Sequence, residues 1–220
     1  MVCVGAGRGH RFGGDKLAEM LGDRTVLETS LAALTEAFPA APLVVAVASD
    51  QVEHWRTRLA ESCSKADVLF GGQRRQDSVR IGVERAAQTG ADVVAVHDAA
   101  RPMVHPDDVR SVVSELGDAD AAVLCEMVTE TVKRVDRTGM IRDTISREDL
   151  RFARTPQVFR IDALLGAWGI HGDDREWTDE AAVLEEAGFR IRSVLAHHPN
   201  PKITTRDDLD AVRLALAGSR

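Results

Sequence analysis

With 220 residues, 44% hydrophobic and 29% charged, the chain has enough apolar content to bury one sizeable core, and a single main domain is expected over 1–220. A formal net charge of −7 argues against a nucleic-acid or membrane surface as the main partner, yet leaves room for an anionic ligand held by a local cluster of cations. No apolar run approaches membrane-spanning length, nothing reads as a signal peptide, and Cys3, Cys63 and Cys125 lie far apart with no CxxC pair, which suits small core residues in a reducing cytoplasm better than bridges or zinc ligands.

Val2-Cys3-Val4 reads as a short buried strand that runs into the loop Gly5-Ala6-Gly7-Arg8-Gly9-His10-Arg11-Phe12-Gly13-Gly14-Asp15-Lys16. Glycines there remove the Cβ atoms that would hold a polyanion off the backbone N–H groups, and Arg11 and Lys16 supply charge that amides lack. The loop is neither a Walker loop, since Asp15 precedes Lys16 and Leu17 follows it, nor a dinucleotide fingerprint, since His10 or Phe12 falls where the third glycine belongs. By spacing alone a tight structural turn and a phosphate cradle are about equally favoured, and the cations tilt the balance towards phosphate.

Further along, Leu27, Leu31, Leu34 and Phe38 fall at helical spacing, and Pro39 and Pro42 close that helix. Leu43 to Ala48 reads as a buried strand, Asp50 to Ser62 as a polar helix, and Ala66 to Phe70 as a strand ending at Gly71-Gly72. The spacing predicts a helix from Ser78 to Gln88 capped near Asp77-Ser78, then a strongly apolar strand, Val93 to Val96, running into His97-Asp98. Pro106 to Leu116 continues as helix and Ala121 to Cys125 as strand. Near-continuously apolar strands alternating with helices indicate an α/β fold with a doubly wound, mostly parallel sheet.

At Thr131 the rhythm breaks. Two alternating segments flank Asp136-Arg137-Thr138-Gly139 and predict a β-hairpin, about 131–145, with no helix to cover it. It is either a solvated excursion or an arm that packs on another subunit. Arg151 to Phe159 returns as strand, followed by helices over Ile161–Trp168 and Asp179–Ala187, a strand over Ile191–Ala196 and a closing helix over Asp207–Leu216.

Ligands of such sheets bind at the carboxyl ends of the strands. Those ends carry the first loop, Gly71-Gly72-Gln73-Arg74-Arg75 and His97-Asp98-Ala99-Ala100-Arg101-Pro102, with the turn Asn200-Pro201-Lys202 after a late strand. Glycines, cations and one carboxylate together suit phosphate groups and a divalent metal.

Seven motifs then make a specific resemblance: Ala-Gly-x-Gly-x-Arg at 6–11, Gly-Gly-x-x-Arg-x-Asp-Ser-Val at 71–79, Val-His-Asp-Ala-Ala-Arg-Pro at 96–102, Thr-Val-Lys-Arg at 131–134, Arg-Thr-Pro-Gln-x-Phe at 154–159, Thr-Asp-Glu-Ala at 178–181 and Lys-Ile-Thr at 202–204. In this order and spacing the chain resembles the 2-C-methyl-D-erythritol 4-phosphate cytidylyltransferases of the nonmevalonate isoprenoid pathway. The resemblance implies a Rossmann-like nucleotidyltransferase fold and transfer of CMP from CTP to methylerythritol phosphate, with Mg2+ and release of pyrophosphate. It implies that Ala6, Gly7, Gly9, Gly72, Arg75 and Ser78 hold the nucleotide. Arg11 and Lys16 then stabilise the α-phosphate, and Lys202 sits at the phosphates and places the attacking one. Asp98 and Arg101 line the junction of the substrates, and Asp98 is the acid best placed for magnesium, although direct metal ligands are not specified. Thr131 and Arg147 bind methylerythritol phosphate from the arm of a partner subunit, Arg147 as part of the catalytic set, which implies a homodimer.

The family usually has Pro-Ala-Ala-Gly where Val4-Gly5-Ala6-Gly7 stands, and Pro-Lys-Gln-aromatic where Asp15-Lys16-Leu17-Ala18 stands. Asp15 beside Lys16 is expected to act on nucleotide affinity more than on fold. Two other readings are ribitol 5-phosphate cytidylyltransferase and a nucleotide-binding homologue that has lost catalysis. Plainer roles also stand beside the functional ones: Ser78 as a helix cap, one of Arg74 and Arg75 as a solvated charge, His97 as a hydrogen-bonded core residue, His197-His198 as exposed loop, and Trp168 and Trp177 as packing.

Overall fold

The protein is described from a computed structural model, which covers residues 1–7, 11–172 and 175–218. Strand β1 (Val2–Gly5) opens the chain, followed by a two-residue pair, β2 (Met20–Leu21) and β3 (Arg24–Thr25), that the periodicity did not signal. Helix α1 (Val26–Ala37) begins where Thr25 Oγ1 accepts from the Glu28 N–H at 3.2 Å and the Glu28 carboxylate accepts from the Thr25 N–H at 2.8 Å. This reciprocal cap satisfies N–H groups that a helix start otherwise leaves unpaired. Then come β4 (Leu43–Val47), a single 3₁₀ turn at Ser49–Gln51, α2 (Val52–Ser62) and β5 (Ala66–Phe70).

Helix α3 (Arg75–Ala87) starts three residues earlier than the sequence reading placed it. Its cap is the Asp77 carboxylate, which accepts from the Arg74 N–H at 3.0 Å, so Ser78 lies inside the first turn and is not the cap. The chain continues through β6 (Val93–Asp98), α4 (Pro106–Ser114) and β7 (Ala121–Met127) to the hairpin β8 (Val132–Val135) and β9 (Ile141–Ile145). It closes with β10 (Arg151–Arg160), α5 (Ile161–His171), α6 (Glu180–Glu186), β11 (Ile191–Leu195) and α7 (Arg206–Gly218).

The main sheet has seven strands in the order β11-β7-β10-β6-β1-β4-β5. All neighbours are parallel except β10, which runs antiparallel to both β6 and β7. The expected doubly wound, mostly parallel sheet is therefore present, with one reversed strand set between two parallel halves. Its two faces alternate along each strand. Cys3, Val45 and Val47 point into one core with Leu27 and Leu31 of α1, Trp55 of α2 and Val109 of α4. Val2, Val4, Val44 and Ala46 point into the opposite core with Val79 and Val83 of α3, Leu164 of α5 and Leu184 of α6.

Close packing of α3 on β1 depends on Gly82, where a Cβ would lie 2.4 Å from Val2 Cγ1. Only four residues long, β1 nevertheless occupies the interior of the sheet because β4 and β6 flank it on both sides. The hairpin is a separate two-stranded sheet, largely exposed, turning at Gly139 with φ of 83°. Asp136 organises its turn by accepting from the N–H groups of Thr138 and Met140. No helix among the described residues is long and apolar enough to cross a membrane.

Candidate active site

The carboxyl ends of β1, β5 and β6 open on one cavity of about 330 Å³. It is lined by Gly5, Ala6 and Gly7 after β1, by Gly72, Arg75 and Ser78 after β5, by Asp98 at the end of β6, and by Arg11, Lys16 and Lys202. The sequence reading assembled this set from loops far apart in the chain. Gly9 lies outside the described residues. Gly71 allows two of the walls to meet: a Cβ there would stand 2.4 Å from the Ala6 Cβ and 2.7 Å from the Ser78 Oγ.

Charge in the cavity is organised around Asp98. Its Oδ1 accepts from Arg75 Nε at 2.9 Å and its Oδ2 from Lys202 Nζ at 2.8 Å, while Arg101 Nε stands 3.5 Å from Oδ2. Burial pushes the Asp98 carboxyl up, but these three cations outweigh it and hold the group well below the usual carboxylate range. Arg75 is thus no solvated charge. Its Nη1 donates to both oxygens of Glu180, at 2.9 and 2.7 Å, and its guanidinium is held charged by Glu180 and Asp98 against the cost of burial. Arg74 pairs with Asp77 instead, at 2.7 Å.

Lys16 reaches the cavity with its ammonium donating to the Ile203 carbonyl at 2.8 Å. Burial and then the charge of Lys202 lower its pKa, while Asp98 opposes them. Asp15 does not pair with Lys16: its Oδ1 accepts from the Leu17 N–H at 3.0 Å, a local turn that occupies the carboxylate with backbone. The proximity of Asp15 in sequence therefore does not neutralise the lysine.

Beneath Asp98, His97 is fully buried. Its Nε2 meets the Arg101 carbonyl at 3.2 Å, an acceptor only, so Nε2 carries the proton. Nδ1 then accepts from Thr155 Oγ1 at 3.0 Å, and the same Oγ1 accepts from the Asp98 N–H at 3.0 Å. The imidazole is a strut under the Asp98 turn, and burial lowers its pKa to about 4. Arg101, expected at the junction of two substrates, is only 6% exposed and does not line the cavity. Its Nη1 donates to the Asn200 carbonyl at 2.8 Å, tying the β6 turn to the loop that carries Lys202.

Thr131 and Arg147 are exposed and do not line the cavity; the Arg147 guanidinium donates to the Thr129 carbonyl. Trp168 packs in the core as expected, and Trp177 lies under the Arg175 guanidinium. His198 is not simply exposed loop: it stacks on His105 and contacts the buried Asp108 at 3.2 Å. No cluster of three His, Cys, Asp or Glu able to hold a metal occurs among the described residues.

Glu180 belongs to the Thr-Asp-Glu-Ala motif at 178–181, but the motif alone does not reveal its role. The available signal was its spacing: Glu180 shares a helical stripe with Val183 and Leu184, which places a carboxylate on the buried face of α6. Thr155 and Thr204 also went unassigned.

A doubly wound sheet whose strand ends deliver glycine-rich loops and converging cations to one carboxylate has the architecture of a nucleotidyltransferase-like α/β fold. A family model for IspD, 2-C-methyl-D-erythritol 4-phosphate cytidylyltransferase, matches residues 1–217, and the chain belongs to that family. The bifunctional enzyme IspD/IspF of Rhodospirillum rubrum is 38% identical over 220 residues, 99% of this chain and 56% of that protein. The chain thus spans about half the length of the curated relatives it matches. Among solved structures, the 2-C-methyl-D-erythritol 4-phosphate cytidylyltransferase of Thermus thermophilus is 29% identical with a TM-score of 0.78, covering 98% of each chain. The 4-diphosphocytidyl-2C-methyl-D-erythritol synthase of Anaerococcus prevotii superposes with a TM-score of 0.86 over 98% of this chain and 96% of that one. At 20% identity, it speaks for the fold alone.

Proposed function

We propose that the chain catalyses transfer of CMP from CTP to 2-C-methyl-D-erythritol 4-phosphate, giving 4-diphosphocytidyl-2-C-methyl-D-erythritol and pyrophosphate, as a cytoplasmic step of isoprenoid precursor synthesis. The observation that carries this reading is the convergence of Arg11, Lys16 and Lys202 on one glycine-walled cavity beside Asp98. A phosphate oxygen of the acceptor attacks the α-phosphorus of CTP, and the bond from that phosphorus to the bridging oxygen of the leaving pyrophosphate breaks. The nucleophile is already an anion, so no proton need be removed. The remaining task is to hold two polyanions together and stabilise the charge that grows on the α-phosphate, which fixed cations do. Arg11 and Lys16 serve the α-phosphate, and Lys202, held by Asp98, orients the acceptor phosphate.

A divalent cation fits this donor set only with the substrate's help. Among the described residues Asp98 is the one carboxylate lining the cavity, and both its oxygens already accept from cations. Mg2+ would therefore be held chiefly by triphosphate oxygens and water, where it adds Lewis-acid stabilisation of the same charge. The backbone of residues 5–7 and Gly72 with the Ser78 hydroxyl suits the cytidine. Thr131 and Arg147 are assigned to the acceptor site of a partner subunit in a homodimer, supported by their exposure on an arm rimmed with exposed Val135, Met140 and Ile141.

Pyrophosphate release tests the reading. CTP with methylerythritol phosphate is expected to turn over, with UTP, ATP and GTP far slower because a pocket that hydrogen-bonds one base leaves polar groups unpaired with another. Equal turnover with ribitol 5-phosphate would move the assignment to that transferase. CTP binding without release on any polyol phosphate would leave a nucleotide-binding homologue.

A further inference from the structure

Glu180 is buried to 1% exposure, lies outside the cavity lining, and directs both oxygens to one nitrogen of Arg75. Arg75 in turn presents its Nε to Asp98, whose other oxygen holds Lys202. The four groups form a row of alternating charge that begins inside the protein, at the start of α6, and ends at the phosphate-facing lysine. We propose that Glu180 is a positioning residue for nucleotidyl transfer, restraining Arg75 from binding phosphate so that Arg75 fixes Asp98 and, through it, Lys202. The inference rests on the transferase reading above.

The physical argument is competition. A guanidinium with a flexible stem and a face on a cation-rich cavity is a natural partner for a triphosphate, and a bidentate clamp on phosphate is its strongest mode. Arg75 lines that cavity. A buried carboxylate on its Nη1 keeps it in place, because leaving Glu180 unpaired in the interior costs far more than breaking an exposed pair. Without that restraint Arg75 turns to the substrate phosphates. Ground-state binding then tightens while Asp98 loses one of its partners, and Lys202 is drawn from the acceptor towards Asp98. Binding substrate more tightly without binding the transition state more tightly lowers turnover. An ordinary structural ion pair predicts the reverse: weaker binding together with weaker catalysis.

Glu180→Gln keeps the shape and an acceptor oxygen but removes the charge. Inorganic pyrophosphate affinity by calorimetry and the steady-state constants for CTP are measured on wild type and variant. The expected result is about tenfold tighter pyrophosphate binding, a lower KM for CTP and a kcat reduced about tenfold, opposite movements that lost structure does not produce. In the double variant Arg75→Met/Glu180→Met the gain in affinity is absent. If Glu180→Gln does not fold, Glu180→Asp, which withdraws the carboxylate by one methylene, shows a smaller gain of the same sign. Pyrophosphate affinity unchanged or weakened in a folded variant overturns the proposal. If wild type releases no pyrophosphate from CTP, the transferase reading fails, and the calorimetry still decides whether Glu180 restrains Arg75.

Discussion

At the scale of single residues, the cavity separates groups that face ligand from groups that hold them. Lys16 faces it with its ammonium anchored by the Ile203 carbonyl, a neutral partner that does not itself cancel the positive charge. Lys16→Ala should therefore lower kcat by about a hundred- to a thousandfold, roughly 3–4 kcal/mol for one preorganised stabilising group, with a smaller effect on CTP binding. A variant within a few-fold of wild type in pyrophosphate release would falsify its assignment to the α-phosphate. His97 belongs to the second kind. Its pKa falls from 6.5 to about 4 on folding, so the unfolded chain binds the extra proton between those values. The stability linked to neutral His97 is complete above pH 6.5 and drains away as pH falls towards 4, by about 3 kcal/mol at 1.36 kcal/mol per pH unit. Denaturant titrations of wild type and His97→Gln at several pH values check this: wild type should lose more stability over that window than the variant. These residue roles were unevenly legible. Asp98 stands out as a charge at the end of an apolar strand, whereas Lys16, one cation of a glycine-rich loop, takes most of its weight from the family resemblance. Arg75 shows as a cation but not as a paired one, because its partner Glu180 lies 105 positions away. Nothing in the run Asp98-Ala99-Ala100-Arg101 tells that the arginine turns inward to the Asn200 carbonyl.

Elements were easier to read than their partners. Strands β4, β6 and β7 show as continuous apolar runs because helices cover both their faces, and continuous burial leaves little alternation. The pair β2 and β3 escaped because two residues carry no period. The start of α3 was misplaced because Asp77 caps by reaching back from the third helical position, and the reading gave the cap to its neighbourhood instead. At α1 the cap does more than begin a helix. Glu28 Oε2 also accepts from Arg58 of α2 at 2.9 Å, so one carboxylate joins two helices. Removing the Thr25 hydroxyl breaks the reciprocal cap and leaves that buried carboxylate short of a donor. Thr25→Ala should cost about 1–2 kcal/mol in urea unfolding, and Thr25→Ser should recover most of it. Equal losses in both variants would assign the effect to the methyl group.

For the whole molecule, the decisive question is whether the cavity and the arm proposed to complete it belong to different chains. Exposed apolar residues cluster on the arm and beside it, at Met127, Val135, Met140, Ile141 and Phe152, which suits burial against a second copy. If Arg147 serves the partner's cavity, Lys16→Ala and Arg147→Ala homodimers are both nearly inactive. Each mixed dimer then has one site with both lesions and one with neither. Co-refolding equal amounts should restore about a quarter of wild-type activity, since half the dimers are mixed and half their sites intact. No recovery, with mixed dimers confirmed by mass, would show that Arg147 acts within its own chain.

The reversed strand β10 also dictates the order in which the molecule can be made. It sits between β6 and β7 in the sheet and joins them, yet it leaves the ribosome after both. Synthesis at about 5–20 residues per second puts roughly 2–7 s between the end of β7 and the end of β10. Throughout that interval two apolar edges, Val93–Asp98 and Ala121–Met127, stand ready to zip directly onto each other, a pairing that would have to be undone before β10 could enter. The exposed, charge-rich hairpin that precedes β10 lengthens the wait. Mispairing of β6 with β7 in the nascent chain is therefore a hazard this topology carries, and it falls on the strand whose last residue is Asp98.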